Sequence, residues 1–357
     1  MSSVLEFRPQ WASSPGDTIS DVLSEKSISL AEFASSINES IDRAKDLIEG
    51  RAQITLGIAR QLERVLGGSV QFWMSRDFQY REDSARLHAP DKGWLAELPL
   101  GDMIRFGWLQ PVPKASEETA ACLRFFNVPS VGAWRAKYAS VQAMAAFRTS
   151  RSFESRPAAV AAWLRKAEIE GEAVSCARWN PSGFENALTS IRRLTRYKDP
   201  DRFLPELSEL CSTNGVALAI VRPPNGCRAS GATKFLSPQK ALLVLSFRHL
   251  TDDQFWFTFF HESGHLLLHS NQSMFIEGVD TSQTKEENEA NDFAEHALIP
   301  AEHIYAMLSL RLDSVEVIKF ARKIGISPGL VVGQLQHHKR IRPNQLNGLK
   351  RRFAWEK

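Results

Sequence analysis

Cysteine is scarce in this chain: Cys122, Cys176, Cys211 and Cys227 are the only four in 357 residues, and none falls in a C-x-x-C spacing. That argues against a zinc ribbon and leaves no disulfide framework for so long a chain. Long apolar runs are missing too, since no stretch approaches the ~20 residues a membrane span needs. The opening Met1 to Gln10 carries Glu6 and Arg8 in a short mixed run, unlike a secretory signal. A cytoplasmic protein without a membrane partner is therefore expected. Charge of one sign is barely in excess, at a net +3, which by itself argues for neither nucleic acid nor membrane. What is present is ample apolar content, 43%, and a length that exceeds one typical domain, so two or three domains are expected.

The most informative stretch is Thr258-Phe-Phe-His-Glu-Ser-Gly-His-Leu-Leu-Leu-His269. Two histidines four apart on a helix lie one above the other, so the imidazoles of His261 and His265 can reach one ion, and zinc suits such a pair. Glu262 sits about 100° round the same helix, where it can act as general base toward a water whose pKa the ion lowers to roughly 7. Thr251-Asp-Asp-Gln254 reads as a capping box opening this helix, and the apolar run Phe255-Trp-Phe257 and Phe259-Phe260 makes it a buried one. A glutamate between two buried histidines is costly without a cation, which disfavours reading them as ordinary core residues.

A hydrolytic zinc site needs a third protein ligand and an open position. A second helix, opened by Thr284-x-x-Glu287 and closed by Pro300, can supply it, with Ala290, Phe293, Ala294 and Ala297 as its packing stripe. On spacing alone Glu289 and Glu286 are both candidates, while Glu287 and Glu295 are expected to face solvent. His296, His303 and Arg228 are candidate oxyanion donors.

The residues His261-Glu-Ser-Gly-His-Leu-Leu-Leu-His269, followed by Glu287-Asn-Glu-Ala-Asn-Asp-Phe-Ala294 and Leu298-Ile-Pro300, resemble the ImmA/IrrE family of metallopeptidases. That family pairs an HExxH helix with a later E-A-N-x-F-A helix. Carried over residue by residue, the resemblance makes His261, His265 and Glu289 the metal ligands and Glu262 the general base.

At the other end, residues from Gly16 to about Ser84 read as five short helices. Ser29-Leu-Ala-Glu32 is a capping box opening Leu30 to Ile37, a turn holds Asn38, and Ser40 begins a third helix ending at Gly50, an arrangement that suits a helix-turn-helix. Together with Pro15-Gly-Asp17 and Ser69-Val-Gln-Phe-Trp73, this segment resembles the XRE-type helix-turn-helix of HigA-like antitoxins. The resemblance would place Ser40, Arg43 and Lys45 near bases or phosphates of double-stranded DNA. Yet Ser29 to Arg51 holds three basic and five acidic residues, a net of −2 on a surface that should neutralise phosphates. A dimerisation or partner-binding module is the competing reading.

Trp94, Trp108, Trp134 and Trp163 in the middle of the chain are read as packing anchors, with no basic stripe between them to suit nucleotide stacking. Val216 to Arg222 and Ala241 to Phe247 read as strands, with an irregular passage between them, and Leu242 to Ser246 is a candidate edge for pairing with an extended substrate. After Pro300 three short helices are expected. The last 19 residues carry seven cations against Glu356, which reads as a solvated basic face able to touch DNA or an acidic partner.

The expected architecture is mainly α with an α+β zincin-like metallopeptidase domain and an N-terminal five-helix helix-turn-helix domain. Residues 1–84 form the helix-turn-helix domain, 85–178 a helical connector, 179–310 the zinc metallopeptidase and 311–357 a C-terminal helical cap with a basic tail. The expected function is a zinc-dependent endopeptidase acting in transcriptional, stress or toxin-antitoxin regulation by cutting a repressor- or antitoxin-like protein. Double-stranded DNA and a second copy of the chain, in a homodimer, are further expected partners. The alternative is a regulator whose peptidase-like domain senses metal or ligand and cuts nothing.

Overall fold

The structure is a computed structural model that describes residues 12–50, 52–87, 92–112, 115–139, 141, 156–248, 250–269, 274–276 and 285–354. The chain divides into two compact units. One combines the residues up to Leu95 with Leu109–Lys137; the other combines Ala96–Trp108 with Tyr138 onward.

In the first unit the five expected helices are α1 (Pro15–Glu25), α2 (Leu30–Ser36), α3 (Ile41–Ile48), α4 (Leu56–Leu66) and α5 (Val70–Leu87). Capping chemistry sets the starts. Ser14 with Asp17 and Ser29 with Glu32 form reciprocal capping boxes on α1 and α2, and the Ser40 hydroxyl accepts the Arg43 amide at 3.1 Å to open α3. Asn38, at φ 55°, turns the chain from α2 into α3 in the left-handed region that asparagine tolerates. Ile19, Phe33, Ala44, Leu47, Leu62 and Trp73 form the buried core. Of four further helices, α6 (Lys92–Glu97) spans the point of division, α7 (Leu100–Arg105) belongs to the second unit, and α8 (Ala115–Phe126) and α9 (Val131–Lys137) belong to the first. Trp94 and Trp134 meet edge to face at 5.6 Å and Phe126 closes on Trp134 at 5.7 Å, so these tryptophans anchor packing.

The second unit runs α10 (Pro157–Ala173), α11 (Pro181–Leu194), α12 (Pro200–Ser212), β1 (Val216–Ile220), β2 (Gly231–Ser237), β3 (Lys240–Leu245), α13 (Asp252–Leu268), β4 (Met274–Ile276), α14 (Lys285–Leu298), α15 (Ala301–Leu308), α16 (Ser314–Ile324) and α17 (Pro328–His337). The sheet order is β1-β3-β2-β4, with β1 and β3 parallel and the other pairs antiparallel. The passage expected to be irregular thus contains β2. The expectation that Leu242–Ser246 is a substrate-pairing edge is corrected: β3 is hydrogen-bonded on both sides, and its backbone has no edge to offer.

The chain before residue 179 is more than a connector. The α10 helix packs on the sheet, its Trp163 indole donates to the Val221 carbonyl at 3.0 Å, and its buried Glu168 holds Arg165 at 3.0 Å and Lys234 of β2 at 2.7 Å. No helix among the described residues is long and apolar enough to cross a membrane.

Part of the basic tail, Lys350 to Phe353, is structural. Thr251 begins α13 without a side-chain cap, so the expected capping box is absent; its backbone instead bridges to Arg352. Asp252, fully buried, accepts the Ser327 hydroxyl at 2.7 Å and the Arg351 amide at 2.9 Å. Asp253 pairs with Lys350 at 2.6 Å, both side chains being mostly buried. Removing one partner of such a buried pair costs about 3–5 kcal/mol, so these contacts pin the tail against the start of α13. Phe353 completes the anchorage among Phe203, Phe247 and Phe255.

Candidate metal and catalytic site

Helix α13 is buried along nearly its whole length because it runs between the sheet and α14. Gly264, inside the H-E-S-G-H run, lets α14 come close: a Cβ there would meet Phe293 at 3.1 Å and the Ala290 backbone at 3.3 Å. His261 and His265 are each 1% exposed, and their Nε2 atoms lie 3.1 Å apart.

The outer nitrogens are both engaged. His261 Nδ1 is 3.0 Å from Asn291 Oδ1, so Nδ1–H donates to the amide oxygen and the Nε2 lone pair points inward. His265 Nδ1 lies 3.2 Å from His269 Nδ1, and His269 Nε2 lies 2.9 Å from Glu289 Oε2. One proton assignment satisfies this chain: His269 donates from Nε2 to the carboxylate and accepts at Nδ1 from His265, again leaving a lone pair on the inner Nε2. Two lone pairs facing each other at 3.1 Å repel, and a cation between them removes the conflict.

A carboxylate completes the cluster, and it belongs to Glu287. Its Oε2 and Oε1 lie 3.4 Å from His261 Nε2 and His265 Nε2, and the three residues present donor atoms all within 4.8 Å of one another. Nitrogen and carboxylate donors in that number are the set a zinc-type site uses. Burial pushes the Glu287 carboxyl up, but protons on the inner nitrogens of His261 and His265, the alternative to an ion there, would outweigh it and hold the pKa at about 2. Burial lowers the pKa of His265 and so favours the neutral, ligating imidazole, against the opposing pull of Glu287.

Glu289, the expected third ligand, lies at an outer position: its side chain is 42% exposed and sits between His269 and Lys285. The reason is helical phase. Glu287 stands seven residues before the buried Ala294, within about 20° of it, whereas Glu289 is about 140° away. Burial of Ala290, Ala294 and Leu298 sets that line, and Glu286 falls about 80° off it; the stripe read from the sequence, which included Phe293 and Ala297, left the choice open. Asn291, which orients His261, was also missed, although it lies one turn on from Glu287. The expected helix start at Thr284 lies outside the described residues.

Glu262 is fully buried against the start of β2, where a Cβ on Gly231 would sit 2.6 Å from its Oε1. Only glycine lets that strand approach so closely. Of the other candidates, His296 turns to its own helix, with Nδ1 2.7 Å from the Asp292 carbonyl, and His303 packs edge-on to Phe320. On α3, Arg43 and Lys45 are exposed and Ser40 is occupied as a cap; Lys45 lies 4.0 Å from Glu49.

Residues 229–335 match the Peptidase M78 family, described as the IrrE N-terminal-like domain. A second similarity, 38% identity over 61 residues, is to a protein of Escherichia coli strain K12 named uncharacterized HTH-type transcriptional regulator YddM; it covers 17% of this chain and 65% of that one. The HExxH helix, the glutamate facing it and the family match over them lead to one conclusion: residues 229–335 form an ImmA/IrrE-type, metallopeptidase-like domain, in a chain that is also similar in part to an HTH-type regulator.

Proposed function

We propose that this protein is a zinc-dependent endopeptidase fused to a helix-turn-helix unit, and that it regulates by cutting a repressor- or antitoxin-like protein. The observation that carries the reading is the convergence of His261, His265 and Glu287 with Glu262 buried beside them. His261, His265 and Glu287 would hold the ion. A zinc ion there supplies Lewis acidity, lowering the pKa of a bound water to about 7. Glu262 takes the proton of the attacking water and returns it to the leaving amine. Asn291 and the His269–Glu289 pair fix the ring orientations and tautomers of the two histidines. The intact Glu262 favours hydrolysis over pure sensing, since a sensor needs ligands and no general base.

The reading is tested by incubating the zinc-loaded chain with small helix-turn-helix proteins encoded beside its own gene and reading products by mass spectrometry. Discrete cleavage that a chelator abolishes is expected. A zinc-loaded chain that cuts none of them would favour the metal-sensing regulator.

For the first unit, we infer weak duplex DNA binding through Arg43 and Lys45 on α3, supported by the named regulator among its relatives. Selection from a random duplex pool at low salt should enrich a sequence, with affinity falling steeply as salt rises. An unenriched pool would reassign the unit to protein contacts.

A further inference from the structure

Away from the histidines, the second unit has an open cleft of about 710 Å³ where three segments converge: the turn after α11, the last turn of α16 and the tail. Its polar lining is cationic: Arg196, Lys198, Arg322, Lys350, Arg351 and Arg352, with no carboxylate among the lining residues. Two of these are fixed. Lys350 is held by Asp253 at 2.6 Å and Gln336 at 2.7 Å, and the Arg351 guanidinium donates to the Thr195 and Tyr197 carbonyls at 2.9 and 2.8 Å. Arg196, Lys198, Arg322 and Arg352 are exposed, and none has a carboxylate at ion-pair distance among the described residues.

A helix C terminus accounts for a cation at Arg322, which sits in the last turn of α16. It does not account for the other three. Like charges gathered round a concavity repel, and low-dielectric walls focus their field on whatever enters. Guanidinium forks match phosphate oxygens in geometry as well as in charge. The partly exposed Ile318, Pro328 and Leu349 also line the cleft, giving an apolar surface beside the cations. The volume falls in the range of small-ligand sites, about 300–1,000 Å³. A convex basic ridge would suit the backbone of a polymer; a concave cleft with an apolar wall suits a compact anion that carries a ring.

We propose that this cleft binds a nucleoside polyphosphate, its phosphates on Arg196, Lys198, Arg322 and Arg352 and its base on the Ile318, Pro328 and Leu349 surface. The tail strand that lines the cleft also holds Asp252 and Asp253 at the start of α13, so the ligand would lie against the segment that anchors the HExxH helix.

The test is calorimetric titration of the full-length chain with ATP and, separately, with inorganic tripolyphosphate, near 150 mM salt and without added divalent cations. One ATP per chain is expected, tighter than tripolyphosphate. Arg196→Glu and Arg322→Glu should each weaken ATP by about tenfold or more, as expected for reversing a charge that contacts phosphate. Both positions are exposed, and an unchanged melting temperature would show that the variants fold. Arg340→Glu, an exposed cation outside the cleft, should leave binding intact. Absence of saturable binding by both anions, or equal weakening by Arg340→Glu, would overturn the site. Tripolyphosphate binding as tightly as ATP would overturn the base contact. A short DNA duplex that displaces ATP and binds more tightly, with the same variant sensitivity, would overturn the small-ligand assignment in favour of a nucleic-acid backbone.

Discussion

Glu262→Gln is expected to yield a folded protein that binds zinc as the parent does and hydrolyses no peptide. The side chain is fully buried, and the β2 backbone at Gly231 stands so close that a Cβ would come within 2.6 Å of Oε1. An amide of the same size fits that space where a larger group would not. It also removes the cost of burying a carboxylate, so stability should not fall. Metal content should hold because the donor set that could hold an ion is His261, His265 and Glu287, and Glu262 is absent from it. Hydrolysis should fall by about 10²–10⁴-fold or more, because the group that takes and returns the proton is gone. Metal content, circular dichroism and turnover of a cleaved partner, measured side by side, check all three expectations. Wild-type turnover in the variant would remove Glu262 from the mechanism. A wild-type regulatory phenotype with the partner uncut in both strains would make proteolysis irrelevant to regulation.

Glu287→Ala is expected to cost more zinc affinity than Glu289→Ala, the reverse of what the family pattern implies. Glu287 faces both inner nitrogens at 3.4 Å, so its loss removes a charged donor and leaves two neutral ones. Glu289 acts at one remove: it bonds His269, which bonds the outer nitrogen of His265. Losing an outer partner of this kind weakens metal binding by about 10–100-fold, and partial solvent exposure of Glu289 puts the effect at the low end. Competition against a chromophoric chelator resolves the two variants. If Glu289→Ala proves the more damaging, the ligand role returns to Glu289.

Much of the fold was legible because local chemistry decides it. The helix starts at Ser29 and Ser40 follow side-chain capping that acts within three or four residues. The stacking of His261 over His265 follows from a four-residue spacing on any helix. Strand β2 was missed because it opens on Gly231 and alternates weakly, and its pairing with β3 and β4 is a long-range matter. The placement of α10 was missed for a related reason: Glu168 reveals its role only when Lys234, far along the chain, reaches it.

The sequence by itself determined the histidine pair, the glutamate between them and the helical elements, since periodicity and capping are properties of neighbouring residues. Which carboxylate faces the histidines was decided by the packing of α13 on α14, which turns the Ala290, Ala294 and Leu298 face inward and carries Glu287 with it. The fate of the basic tail was likewise tertiary. A run of cations reads as solvated until the fold brings buried carboxylates to it, and here Asp252 and Asp253 draw Lys350 and the Arg351 backbone inward while Arg352 stays exposed at the cleft.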